Sequence, residues 1–157
     1  MKDKSLPTHL ELRQLESTLF YQLGVEINLQ SHAHSITVIR SRKTGRVKQV
    51  YIGDNLFASI RANDGFVIPS RWGWGFLATN SDLHSLPYVE VPEDITSFIA
   101  EGKTLFSKHV KEANNDILPG DEVCIINDRG EIVASGKAVL PGWEMGRIKK
   151  GKAVKTR

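Results

Sequence analysis

Near the start of the chain the apolar residues recur at helical spacing. Leu12, Leu15, Leu19 and Leu23 fall on one stripe of a helix predicted over 8–24. Thr8 followed by Glu11 forms a capping box, Pro7 and Leu12 are placed as a hydrophobic staple, and Gly24 is a natural stop. Residues 25–34 carry no clear period. From Ser35 the pattern changes to short β-branched runs, which predict strands at Ile36–Ile39, Val47–Ile52, Leu56–Ile60 and Phe66–Ile68. Lys43-Thr44-Gly45, Gly53-Asp54-Asn55 and Asn63-Asp64-Gly65 are the connecting turns. A helix across one face of an antiparallel meander lets each element bury its single apolar side.

A second block follows a boundary predicted within 80–90, where Pro87 opens a new strand. Pro92 starts a short helix with Glu93 and Asp94 at its positive end, Ile95, Phe98 and Ile99 as its inner face, and Gly102 closing it. Strands are then expected at Thr104–Val110, Val123–Ile126, Ile132–Leu140 and Ala153–Thr156, with turns at Pro119-Gly120-Asp121 and Asp128-Arg129-Gly130. Many short strands separated by turns predict a compact β-barrel, which closes on itself and so exposes no edge. The expected fold class is α+β: a small helix-on-antiparallel-sheet domain over 1–86, then a β-barrel domain over 87–157.

The composition, 40% hydrophobic and 25% charged, is that of a globular chain without a membrane span, and the opening M-K-D-K-S-L-P has no apolar stretch behind it. A cytoplasmic protein is therefore expected. The net charge of +3 says little by itself, but its distribution does. Arg40, Arg42, Lys43, Arg46 and Lys48 fall together without an acid, and so do Arg147, Lys149, Lys150, Lys152, Lys155 and Arg157. Two basic patches on a balanced chain are the footprint of a polyanion-binding surface.

Chemistry of other kinds is sparse. The single cysteine, Cys124, sits in an apolar run and excludes both an intrachain disulfide and a cysteine-rich zinc site. His32 and His34 have the spacing of paired ligands on a strand but no third ligand at a recognisable distance. Asp64 with His32 or His34 is the one combination open to a small hydrolase or transferase, although Asn-Asp-Gly is first a turn signal. Neither a phosphate loop nor an H-E-x-x-H helix is present, and no cofactor is expected. Trp72 and Trp74, set between glycines in Ser70–Phe76, suit either an aromatic platform for a base or a plug at a domain junction, of which the plug is favoured.

The blocks G-K-T-L-F-S-K-H-V, P-G-D-E-V, A-S-G-K-A-V-L and G-K-A-V-K-T-R resemble, in that order, a PUA domain, a small RNA-binding pseudobarrel. I-R-S-R-K-T-G-R-V-K-Q-V-Y with S-I-R-A-N-D-G-F-V-I resembles the domain preceding it in archaeosine tRNA-guanine transglycosylase. The resemblance implies a PUA-type pseudobarrel over 87–157 and binding of tRNA at its acceptor end. It points to Lys103, Phe106, Lys108 and His109, together with Lys149, Lys150, Lys152, Lys155 and Arg157, as the contacts. Those transglycosylases also carry a (β/α)8 barrel of ~250 residues and a zinc site, for which this sequence has neither length nor cysteines. The expectation is a non-catalytic, RNA-grasping polypeptide, with a separate transglycosylase chain as its candidate protein partner. A freestanding RNA-binding module in ribosome assembly or RNA decay is the alternative.

Overall fold

The computed structural model describes residues 3–157, which divide into two compact units, the first ending at Ser81 and the second spanning Asp82–Arg157.

In the first unit the helix α1 runs over His9–Leu23. Its capping box is complete: Thr8 Oγ1 accepts from the Glu11 N–H at 3.0 Å, and Glu11 Oε1 accepts from the Thr8 N–H at 2.8 Å. Leu12, Leu15, Leu19 and Leu23 are its buried residues. The stretch without a period forms a 3-10 helix, Leu29–Ser35, capped by Asn28. Strands β1 (Ile36–Arg40), β2 (Val47–Ile52), β3 (Asn55–Ile60) and β4 (Val67–Pro69) then build an antiparallel meander in chain order.

Both edges of this sheet are blocked. On β1, Val38 exchanges N–H···O bonds with Ser5 at 2.8 and 2.9 Å. On β4, the Gln22 side-chain amide donates to the Val67 carbonyl and accepts from its N–H, each at 2.7 Å. Gln22 thus imitates one residue of a fifth strand, which also ties α1 to the sheet.

The aromatic stretch after β4 is a helix, α2 (Arg71–Thr79), rather than a flexible loop. Ser70 caps it by accepting from the Gly73 N–H at 2.8 Å. Gly73 allows the helix to press against β3, because a Cβ there would lie 2.0 Å from the Phe57 carbonyl oxygen. Trp74 is fully buried, whereas Trp72 is 38% exposed and stacks on Phe76.

The second unit holds a six-stranded mixed sheet in the order β6-β10-β9-β8-β5-β7. Its strands are β5 (Tyr88–Glu90), β6 (Leu105–Phe106), β7 (Glu112–Ala113), β8 (Glu122–Ile126), β9 (Ile132–Ala138) and β10 (Lys152–Thr156). β5 and β8 run parallel and the other pairs are antiparallel. The edge strands β6 and β7 are successive in the chain, so the sheet curls round, yet no ladder joins them. The barrel expected from the turns is therefore a pseudobarrel with a seam. Val89, Val91, Leu105, Val123, Ile125, Ala153 and Val154 belong to its core.

Several local expectations differ from what is observed; the strand expected over Ile132–Leu140, for one, ends at Ala138. The strand expected over Thr104–Val110 stops after Phe106 and continues as a 3-10 turn, Ser107–His109. The short helix α3 (Thr96–Ala100) follows a 3-10 turn and buries Ile99, while Phe98 is 54% exposed. Ile95 packs against the same core as Ile99, so only Phe98 of the expected inner face turns outward. The fourth strand of the first unit starts at Val67 because Phe66 still closes the turn before it.

Candidate nucleic-acid interface

Ser107 organises the cationic face of the second unit. Its side chain is fully buried, its N–H donates to the Gly151 carbonyl at 2.9 Å, and its Oγ accepts from the Gly146 N–H at 3.1 Å. These two bonds pin the 107–109 turn against the 146–151 segment. Leu105 and Val110 on either side are also buried. Phe106, Lys108 and His109 are left exposed, and Phe106 lies opposite Lys152 in the β6–β10 register. Arg147, Lys149 and Lys150 are exposed on the segment that Ser107 holds, and Lys149 Nζ donates to the Gly146 carbonyl at 2.6 Å. Seven of the expected contact residues thus converge.

Along β10, Lys152 and Lys155 are exposed while Ala153 and Val154 are buried. Lys155 is directly opposite Lys137 of β9, and Lys137 is opposite Glu122 of β8. Facing lysines cost stability in a sheet. Lys103 is exposed, with its ammonium 6.0 Å from the centre of the Phe98 ring.

Two expected contacts are occupied within the fold. Arg157 reaches Glu122 with Nε and Nη2 at 3.1 and 2.8 Å, and the Glu122 side chain is only 2% exposed. In the first unit Arg40 pairs with Glu11 and also donates to the Leu6 carbonyl and to Ser5 Oγ. Burial pushes the Glu11 carboxyl up. The Arg40 guanidinium and the Thr8 N–H outweigh it, holding the group below its ordinary value. Arg42, Lys43, Arg46 and Lys48 are exposed on and beside the β1–β2 turn.

The catalytic alternative finds no site. Asp64 lies in the β3–β4 turn, and Arg61 together with the Phe66 N–H keeps its carboxyl below the usual range. His32 and His34 lie before β1, at the sheet end where Ser35 meets Gly53, so the topology separates them from Asp64. Among the described residues, no group of three or more His, Cys, Asp and Glu is arranged to hold a metal ion. Cys124 is fully buried, and burial pushes its thiol up to about 12. Among the described residues no helix is long and apolar enough to cross a membrane.

Sequence reasoning passed over three exposed aromatic positions, Phe20, Tyr21 and Trp143. Trp143, 48% exposed, lies in the turn before the basic segment, and Tyr21, 79% exposed, lies on α1 beside Phe66. Trp143 had a readable signal, since Pro141-Gly142-Trp143 marks a turn beside clustered cations.

Residues 13–78 match the patch-forming domain C2 of tRNA-guanine transglycosylase, and residues 87–157 match the PUA domain. A tRNA-guanine(15) transglycosylase of Methanobrevibacter smithii is 35% identical over 147 residues, which cover 94% of this chain but 22% of the relative. The chain spans about a fifth of the length of such curated relatives. A conserved PUA domain protein from Thermoplasma acidophilum shares the fold with a TM-score of 0.74 at 22% identity, over 99% of this chain and 92% of that one. A hypothetical protein from Pyrococcus horikoshii does so with a TM-score of 0.73 at 20% identity, over 99% and 93%. Residues 13–78 are thus a C2 domain of the tRNA-guanine transglycosylase type and residues 87–157 a PUA domain, and over most of its length the chain is similar to about a fifth of those transglycosylases.

Proposed function

We propose that this chain binds structured RNA, specifically the acceptor end of tRNA, in the cytoplasm, as a non-catalytic component of base-exchange chemistry on tRNA. The observation that carries the reading is the Ser107 clasp. It holds Phe106, Lys108 and His109 against Arg147, Lys149, Lys150 and Lys152, so one small surface offers several cations and an aromatic ring. Cations neutralise phosphates and release counterions, while a ring stacks on an unpaired base. An acceptor end presents both, a duplex stem and a single-stranded terminus. Lys103, Lys137 and Lys155 extend the cationic surface along the sheet. Arg157, paired with Glu122, supports it from within the second unit.

Titration with labelled tRNA tests the reading. Tight binding is expected, weakened about tenfold or more when the single-stranded 3′ terminus is removed, since one stacked base is worth ~1–3 kcal/mol. Equal affinity for the trimmed tRNA would refute the acceptor-end assignment, and no binding at all would refute the RNA reading. Base exchange should appear only when a transglycosylase catalytic chain is added; exchange by the pure chain would overturn the non-catalytic role. A freestanding RNA-binding role is the second reading. It is favoured by the two solved proteins of matching fold, each covered over more than nine-tenths of its length. Preference for another structured RNA over tRNA would select it.

A further inference from the structure

We propose that Tyr21 and Phe66 form a second base-stacking site, served by the basic turn beside it, for an unpaired stretch of the bound RNA; this rests on the RNA-binding reading above. The first unit contains the same hairpin twice, shifted by twenty residues. Ser41 and Arg61 each accept from a glycine N–H four residues on, Gly45 and Gly65, at 2.8 Å. Their own N–H groups donate to the carbonyls of Arg46 at 2.8 Å and Phe66 at 2.9 Å. The two glycines have φ of 75° and 77°, the left-handed conformation that closes such a turn. Thr44 and Asp64 each accept from the N–H two residues on, at 3.2 and 3.0 Å. The strand registers agree as well, Arg40 opposite Val47 and Ile60 opposite Val67.

The two turns are thus one backbone with different side chains. S-R-K-T-G-R offers Arg42, Lys43 and Arg46, whereas R-A-N-D-G-F offers Phe66 at the place of Arg46. Sheet order puts both turns at the same end, two strand spacings apart, or about 10 Å. Phe66 is backed by Arg61, 5.8 Å from its ring centre, and meets Tyr21 at 6.3 Å between centroids with the planes tilted by 55°. Tyr21, Asp64, Gly65, Phe66, Ser17 and Thr18 line a depression of 370 Å³.

This pairing of cations with the open Tyr21 ring, backed by the half-buried Phe66, is what a single strand requires: phosphates on one turn, a base beside the other. The Asp64 carboxylate is occupied by Arg61 and by the Phe66 N–H. The site therefore reads the face of a base and not its edge, and it tolerates any sequence. Another surface groove of the unit, lined by Glu16, Glu26, Ile27, Asn28 and Gln30, presents carboxylates that repel phosphate.

The test compares the full chain with its Tyr21→Ala variant on two RNAs of equal length, one single-stranded and one a blunt duplex. The variant is expected to bind the single strand about five- to tenfold more weakly, the low end of an aromatic deletion at a stacking site, and the duplex equally well. Tyr21→Trp should restore single-strand binding. Phe66→Leu should repeat the Tyr21→Ala pattern. An unchanged single-strand affinity would overturn the proposal and leave the aromatic pair to a protein contact. A loss equal on both RNAs would overturn it too, since stacking requires an unpaired base. If the unaltered chain bound neither RNA, the RNA reading would fall and this site with it. If neutralising Arg42, Lys43 and Arg46 to glutamine weakened single-strand binding while Tyr21→Ala and Phe66→Leu did not, only the stacking site would fall.

Discussion

Arg40 and Arg157 separate cations that hold the fold from cations turned toward a partner. In the sequence each lies in an acid-free basic run, yet each has found a carboxylate far along the chain, Glu11 and Glu122. Glu11 has a double task, because the carboxylate that completes the helix cap also receives Arg40. Its folded carboxyl titrates below the ordinary 4.5, so the pairing stabilises the fold above that range, and this stability is lost as pH falls through the folded value. Arg40→Gln should lower stability by about 1–2 kcal/mol near neutral pH, the scale of a hydrogen-bonded charge pair that is largely shielded from water. The deficit should shrink below about 4.5 as Glu11 protonates in both proteins. Urea unfolding at pH 7 and pH 3 measures it; an undiminished deficit at pH 3 would show that Arg40 acts through its other bonds, to Ser5 and Leu6.

At the scale of elements, the parts legible in the sequence were those whose signals are local. The capping box of α1, its leucine stripe and the glycine turns of the meander all have causes within a few residues. The helix α2 was illegible because Gly73 and Gly75 argue against a helix. What overrides them is tertiary: Ser70 caps the first turn, and Gly73 lets the backbone touch β3 at Phe57. Gly73→Ala should therefore destabilise the first unit by about 3 kcal/mol or more, by overpacking against backbone, despite the better helix propensity of alanine. A rise in the urea midpoint would mean that propensity governs this helix after all. The turn at Ser107–His109 was hidden for a similar reason. T-L-F-S-K-H-V alternates like a strand, and the bonds from Ser107 to Gly146 and Gly151 come from some forty residues away. The candidate site was thus legible as a set of residue types, but not as the clasp that assembles them.

At the scale of the whole chain, each unit carries its own cationic surface, the β1–β2 turn in one and the Ser107-clasped face in the other. The principal grip is expected from the second, where Lys149, Lys150 and Lys152 are exposed on a segment fixed at both ends, by Ser107 and by β10. Changing all three to glutamine keeps length and polarity while removing three charges. If each lysine meets a phosphate, the slope of log affinity against log salt should flatten by about two to three units, at roughly 0.7–0.9 per contact. Thermal stability should hardly move, because exposed charges contribute little to folding, and the Lys149 bond to the Gly146 carbonyl is itself exposed. Neutralising Arg42, Lys43 and Arg46 instead should give a smaller flattening and weaken all RNAs alike, as backbone contacts do. The two variants together divide the footprint between the units. An unchanged slope in the folded lysine variant, with a large change in the hairpin variant, would move the principal grip to the C2 domain and leave the PUA lysines as solvated surface.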